Sequence, residues 1–218
     1  MVNRLLLAII FACVGLQSQV ADSHERGKAG HHASPASKPI VEPTGSARVT
    51  LHDLELVDQD RNKVRFKSDV ISDRIVVIEF FYTSCVTICP VTSALLSDAQ
   101  DRLGDQFGRD VWFVSITVDP VTDTPERIKT YSQHHQTQPG WVWITGKKAL
   151  VDKVLKGLGA YAAEIDDHPS MLLVGDGRSG SWTRLFGLPD PEQVLGMVRQ
   201  LLAARGKTTI PNTAEGGK

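Results

Sequence analysis

Cys85 and Cys89 lie in Phe80-Phe81-Tyr82-Thr83-Ser84-Cys85-Val86-Thr87-Ile88-Cys89-Pro90, directly after the apolar run Ile75-Val76-Val77-Ile78. If a helix starts here, residues four apart share a face, so both sulfurs can address one metal ion. The same separation can bring the Cα atoms within the roughly 4.4–6.8 Å that a disulfide requires. The pair therefore reads as redox-active, metal-binding or both. A helix N-terminus adds unsatisfied N–H groups and partial positive charge, so a thiol held there ionises more easily than at its free value of about 8.5. Thiolate is the form that ligates and attacks.

Two soft thiolates select Cu(I), zinc or iron–sulfur centres over hard cations. Structural zinc of the four-thiolate type and the usual clusters need four cysteines, and the chain has three, one of them Cys13 near the start. A third ligand of another kind is required. Of the seven histidines, His24, His31 and His32 fall in a polar N-terminal stretch and His52 in the first hairpin. His134 and His135 sit at the polar end of a helix, where histidine complements the helix dipole. His168 follows Ile165-Asp166-Asp167 and precedes Pro169 and the strand Met171–Val174, so it occupies a loop at a strand entrance. Position alone leaves it as a ligand or as a hydrogen-bonded loop residue. Asp119 ends a central strand at the same edge, either as an outer carboxylate that orients the histidine or receives thiol protons, or as a turn residue before Pro120.

The elements around these residues alternate. Val49–His52, Leu54–Val57 and Val64–Phe66 surround the polar segment Asp58–Asn62 and predict an N-terminal β-hairpin. Ile75–Tyr82 is a near-continuous apolar run suited to a strand buried on both faces, with a helix from about Pro90 to Leu103 after it. Val111–Val118 is a second central strand; Thr124 caps a helix that reaches about His135, while Asp123 reads as a turn residue. Trp141–Thr145 is a strand, Lys147–Leu158 a helix, Met171–Val174 and Trp182–Phe186 a hairpin, and Pro191–Ala203 the last helix. That order predicts an α/β, thioredoxin-like fold, a central mixed β-sheet flanked by helices, in one domain over residues 47–203.

Leu5–Leu16 carries no charge and follows Arg4, with small residues at Ala21 and Ser23, the layout of a signal peptide over residues 1–23. The run is shorter than the roughly 20 apolar residues of a membrane span. Ile10-Phe11-Ala12-Cys13 offers a lipid-anchor alternative, because it resembles a lipobox. Residues 24–46, with His24, His31 and His32 and few large apolar side chains, read as a flexible tether, and residues 204–218 as a disordered tail. Export to an oxidising compartment means that two remaining thiols close a disulfide unless a reductant or a metal holds them open. With 24 basic and 25 acidic residues the formal net charge is −1, which argues against nucleic acid as a partner.

The chain resembles the Sco/SenC family of copper chaperones for cytochrome c oxidase assembly. The likeness is carried by the cysteine turn Cys85–Pro90, by Val118-Asp119-Pro120-Val121-Thr122-Asp123-Thr124-Pro125, by Pro139-Gly140-Trp141-Val142-Trp143-Ile144-Thr145-Gly146, and by the late histidine His168. It implies a thioredoxin-like fold and copper, as Cu(I) or Cu(II), held by Cys85, Cys89 and His168. The implied receiver is the cytochrome c oxidase subunit carrying the CuA site or another cuproprotein, with a copper donor protein and a thiol reductant as further partners. The implied location is the bacterial periplasm or the periplasmic face of the inner membrane. Val91 stands where many relatives are acidic, and Pro169 where serine or threonine is commoner; neither change removes a donor atom. Gly180–Gly187 resembles one bacterial branch of the family.

Two functions follow. In the first, two thiolates and an imidazole carry copper to another protein by ligand exchange, without turnover. In the second, Cys85 attacks and Cys89 resolves as a thiol-disulfide oxidoreductase that reduces target cysteines.

Overall fold

A computed structural model of the chain describes residues 45–207; the expected leader with Cys13, nearly all of the tether and most of the tail lie outside them. The strands are β1 (Gly45–Ser46), β2 (Glu55–Asp58), β3 (Lys63–Arg65), β4 (Ile75–Phe81), β5 (Val111–Thr117), β6 (Trp141–Thr145), β7 (Met171–Asp176) and β8 (Ser181–Phe186). The helices of eight or more residues are α1 (Ile88–Leu103), α2 (Pro125–Gln133), α3 (Lys148–Leu158) and α4 (Pro191–Ala204). The strands form one mixed sheet in the order β1-β8-β7-β4-β5-β6-β2-β3. β4, β5 and β6 run parallel; on one side β7 pairs antiparallel with β4 and β8 antiparallel with β7, and on the other β2 pairs antiparallel with β6 and β3 antiparallel with β2.

β4 is buried along its whole length, as its apolar run requires. Successive side chains alternate faces. Ile75, Val77 and Phe81 pack with Leu96 and Ala99 of α1 and Val194 and Val198 of α4. Val76, Ile78 and Phe80 pack with Val151, Val154 and Leu158 of α3 and with Phe66. Two cores therefore fill the two faces of one sheet, and the helices cannot shift without breaking one of them.

The parallel strands leave one edge for the site. Ile75 pairs with Val111 and with Asp176 at one end, and Phe81 pairs with Thr117 at the other. The loops that follow β4 and β5 and the loop that precedes β7 all emerge at the Phe81 end. Crevices outside the carboxyl ends of parallel strands are where ligands bind in open α/β sheets.

The hairpin forms between β2 and β3, with Leu56 opposite Val64. Val49–His52 stays outside the sheet, because Thr50 donates its amide to Gly157 of α3 at 2.7 Å rather than to a strand. The connection from β3 contains a π-helical turn, Phe66–Ile71, which buries Phe66, Val70 and Ile71; no periodicity in so short a piece announces it. The sheet also begins earlier than residue 47, since Gly45 and Ser46 pair with Arg184 and Thr183.

Candidate dithiol and metal site

The cysteine turn hangs between β4 and α1. Cys85 precedes the helix, donating its amide to the Tyr82 carbonyl at 3.1 Å, and Cys89 lies in the first helical turn. The two cysteines thus do not share a helix face. The turn brings Cys85 under the helix end instead, where its Sγ accepts the Cys89 amide at 3.4 Å and lies 3.9 Å from Thr87 Oγ1. Pro90 sits in that first turn, where a missing N–H loses no intrahelical bond. Both thiols are free and buried.

Their environments divide them. Burial pushes the Cys85 thiol up, but the Cys89 thiol, the Cys89 and Thr87 amides and the Thr87 hydroxyl outweigh it and leave Cys85 below its ordinary value. Burial pushes Cys89 far above its ordinary value, and the neighbouring Cys85 sulfur and Glu79 push it the same way. One sulfur is prepared to ionise while its neighbour holds a proton.

The turn is anchored by a residue that reads from the sequence as an ordinary turn former. Asp123 is fully buried and accepts the Thr83 amide at 3.2 and 3.1 Å, the Thr83 hydroxyl at 2.5 Å and the Thr117 hydroxyl at 2.6 Å. Its own carbonyl accepts the Thr145 hydroxyl at 2.6 Å. One carboxylate therefore ties the segment before Cys85 to the end of β5. Thr124 caps α2 as expected, accepting the Arg127 amide. His134 ends α2, and His135 stacks on Trp143, with burial and His134 holding its pKa below the ordinary value.

His168 reaches the same edge from the loop before β7. Its Nδ1 lies 2.7 Å from the Ile165 carbonyl, which can only accept, so Nδ1 carries the proton and the Nε2 lone pair is left for a ligand. Its ring meets Tyr82 edge to face at 5.6 Å. A cleft of about 490 Å³ separates the loops, with Ser84, Tyr82, Asp119, Lys148 and His168 in its wall. Asp119 accepts the Thr122 amide through Oδ1 at 3.3 Å and so closes its own turn. Among the described residues no three His, Cys, Asp or Glu side chains converge into a group that could hold a metal. The two thiols lie within hydrogen-bond reach of each other, while the contacts of the His168 ring are with Tyr82 and the Ile165 carbonyl.

A second missed residue lies beneath the turn. Glu79 interrupts the apolar side of β4 that faces α1, is 1% exposed, and accepts the Ser115 hydroxyl at 2.5 Å and the Ser93 hydroxyl at 3.2 Å. A glutamate inside an otherwise apolar strand was the available signal.

A thioredoxin-like domain with a dithiol turn at the mouth of its first long helix defines the class. The SCO1/SenC family model matches residues 43–202, and the chain belongs to that family. It is 32% identical over 106 residues to a putative copper-binding protein of Stutzerimonas stutzeri, covering 49% of this chain and 50% of that one. The chain thus aligns with about half the length of that relative. Among solved structures it resembles ScoI of Bradyrhizobium japonicum with copper bound, at 26% identity and a TM-score of 0.56, covering 72% of this chain and 98% of that one. It also resembles ScoI of Arabidopsis thaliana with copper bound, at 22% identity and a TM-score of 0.60, covering 72% and 99%.

Proposed function

We propose that the protein carries copper on Cys85, Cys89 and His168 and delivers it to a cuproprotein, foremost the CuA-bearing subunit of cytochrome c oxidase. The observation that carries this reading is the adjacency of two buried free thiols at a helix N-terminus, one with its pKa lowered, facing an edge where a histidine offers Nε2. Two thiolates and an imidazole suit Cu(I), and relatives in the family are named for binding copper. Copper is cargo in this reading. His168 joins the sulfurs when its loop closes past Tyr82, and the open edge lets a partner's thiols displace the ligands in turn.

The large apolar side chains that stay exposed among the described residues support delivery by docking. Val86 (88% exposed), Val91, Val121, Tyr161, Ile165 and Leu188 all lie on loops or helix starts at the Phe81 end of the sheet. Exposed apolar side chains gathered at one end suit a protein partner. Asp119, in the cleft wall with His168, acts as an outer carboxylate that steadies the imidazole once it turns to the metal. Export to the periplasm is part of the same proposal and rests on the leader sequence; no helix among the described residues is long and apolar enough to cross a membrane.

The test is titration of the reduced protein with Cu(I) against a chromogenic chelator, and with Cu(II) by absorbance. His168→Ala is expected to weaken binding at least tenfold, and Cys85→Ser or Cys89→Ser further. Unchanged affinity in His168→Ala would sink the three-donor site.

A second reading, thiol-disulfide exchange, is favoured by the opposite displacement of the two thiols, which suits Cys85 as attacking and Cys89 as resolving sulfur. Its test is metal-free exchange with a partner disulfide, in which His168→Ala leaves the rate unchanged.

A further inference from the structure

The cleft beside His168 carries an imbalance of charge. Its wall of about 490 Å³ holds three carboxylates, Asp119 from the turn after β5, Asp152 from α3 and Glu164 from the loop before β7, against one ammonium, Lys148. Lys148 is committed to Asp152, donating to Oδ2 at 2.7 Å. Asp119 and Glu164 make no ion pair among the described residues, whereas Asp53, Asp60, Glu126 and Asp176 each hold a lysine or an arginine. Lys147 and Lys156 do not line the cleft, and Lys156 stands over the Tyr161 ring at 4.3 Å. The three carboxylates come from three separate elements and do not converge into a group that could hold a metal ion. Charge spread over a wall suits a broad, planar cation on a long stem, and Val118, Leu155 and Ala162 offer apolar wall to that stem. A cleft lined mainly by one sign of charge also focuses its field on what approaches.

Building on the delivery reading, we propose that this cleft receives an arginine side chain of the partner protein and so fixes the orientation in which that protein meets the dithiol. The partner is then a protein whose surface carries an arginine beside an apolar patch. Its apolar part has a seat of its own. Val121, Tyr161 and Ile165, which line the cleft, are also among the exposed large apolar side chains, Val121 at 71%. A protein surface that covers them removes apolar area from water, and a free small cation does not. Ser84 lies in the same wall, one residue before Cys85, and exposed Val86 follows. A surface seated on the cleft therefore continues onto the cysteine turn.

The two sides of the turn differ in sign. Val151 and Val154 of α3 pack on one face of the sheet, and Ile128 and Tyr131 of α2 on the other. From the α2 face, exposed Arg127 donates to Thr83 Oγ1 at 3.2 Å and holds no carboxylate among the described residues. The neighbouring Glu126 is taken by Arg61. The segment Thr83–Cys85 thus runs between a cleft rich in carboxylates and an uncompensated guanidinium. A partner of the opposite polarity fits in one orientation, and the reversed one sets like charges together.

The experiment uses the full-length, reduced, metal-free protein and a set of peptides that carry two S-methylated cysteines and flanking leucines. At one position, stepped along the peptide, each carries either arginine or citrulline, which has nearly the same shape and no charge. Affinity is read by fluorescence anisotropy and the place of binding by NMR shifts. The best arginine peptide is expected to bind on the order of tenfold tighter than its citrulline twin at about 0.01 M salt, where the screening length is about 30 Å. The advantage should vanish at about 1 M, where that length is about 3 Å. Glu164→Gln should cut the preference severalfold without changing Cu(I) affinity, and Glu164→Lys should abolish it. Asp152→Asn, which releases Lys148 into the cleft, should weaken it as well. Equal binding of arginine and citrulline at every position, binding of neither at millimolar concentration, or a preference that survives Glu164→Lys would overturn the proposal. Agmatine bound as tightly as the best peptide would also overturn it, by making the cleft a site for small cations. Copper is absent from the peptide measurements, so their failure leaves the copper titration where it stands. A protein that keeps the arginine preference and binds no copper would lose the delivery reading and keep the docking cleft.

Discussion

The backbone amide of Cys89 donates to Sγ of Cys85 at 3.4 Å. This bond makes the first cysteine a cap for the helix that contains the second, since Thr87 at the N-cap position supplies no side-chain bond of its own. An anionic sulfur there meets an orphan N–H and the positive end of the helix dipole. Helix formation and thiol ionisation therefore support each other at one atom.

The first consequence is an order of reactivity. In the reduced, metal-free protein, iodoacetamide should label Cys85 before Cys89 at every pH, because Cys85 lies below the ordinary thiol value and Cys89 above it. Peptide mass spectrometry at short times reads the order directly. Equal labelling of the two cysteines would contradict the asymmetry.

The sequence made the scaffold legible because burial on both faces leaves apolar runs, and Ile75–Phe81 and Trp141–Thr145 could be placed within a residue. Thr124 was equally readable, since a capping side chain acts on amides a few positions away. Three features were not. Asp123 reads as a turn former because its partners, Thr83 and Thr145, are distant in the chain and meet only when β4, β5 and β6 are assembled. Glu79 was visible as a charge in an apolar run, but its meaning depends on Ser93 and Ser115, which arrive from α1 and β5. The π-helical turn at Phe66–Ile71 is fixed by the burial of three side chains, not by local periodicity.

Asp123 supplies the second prediction. Asp123→Ala strips the Thr83 amide and hydroxyl and the Thr117 hydroxyl of their acceptor inside the fold. Loss of such a buried network should cost about 3 kcal/mol, read by urea unfolding. Because Thr83 leads directly into the cysteine turn, copper affinity should fall as well, even though no donor atom has changed. Asp123→Asn keeps one acceptor oxygen and should lose less of both.

The opposite end of the sheet separates stability from chemistry. Arg205, at the end of α4, forks onto Asp176 through Nε at 2.9 Å and a terminal nitrogen at 2.5 Å, with side chains only 9% and 4% exposed. Arg205→Met leaves Asp176 buried without its cation, and should cost on the order of 3–5 kcal/mol. Asp176 pairs with Ile75, the strand end away from the cysteines, so copper affinity of the folded variant should not change. Burial raises Asp176, but the Arg205 bonds together with the Ser179 and Arg178 amides outweigh it and hold the carboxyl below its ordinary value. Its contribution to stability is present above the ordinary value of 3.8 and lost as pH falls through the lower folded value. Arg205→Met should flatten that acid limb.

Glu79 sets the opposite slope. Its carboxyl is carried by burial from 4.5 to about 7, so the folded protein holds a proton that the unfolded chain has already released over that interval. The stability associated with the protonated acid is fully present below 4.5 and is lost as pH rises through about 7. A displacement of that size corresponds to about 3 kcal/mol between the two limits. Urea unfolding at pH 5 and pH 8 should therefore find the protein less stable at the higher pH. Glu79→Gln removes the ionisation while keeping groups for Ser93 and Ser115 to bond, and should be flat over the same range, converging on the unmutated protein at low pH and exceeding it at high pH. A parallel pH dependence in the variant would place the titrating group elsewhere and leave Glu79 charged inside the sheet, which a carboxyl bonded only to two hydroxyls cannot sustain at so little cost.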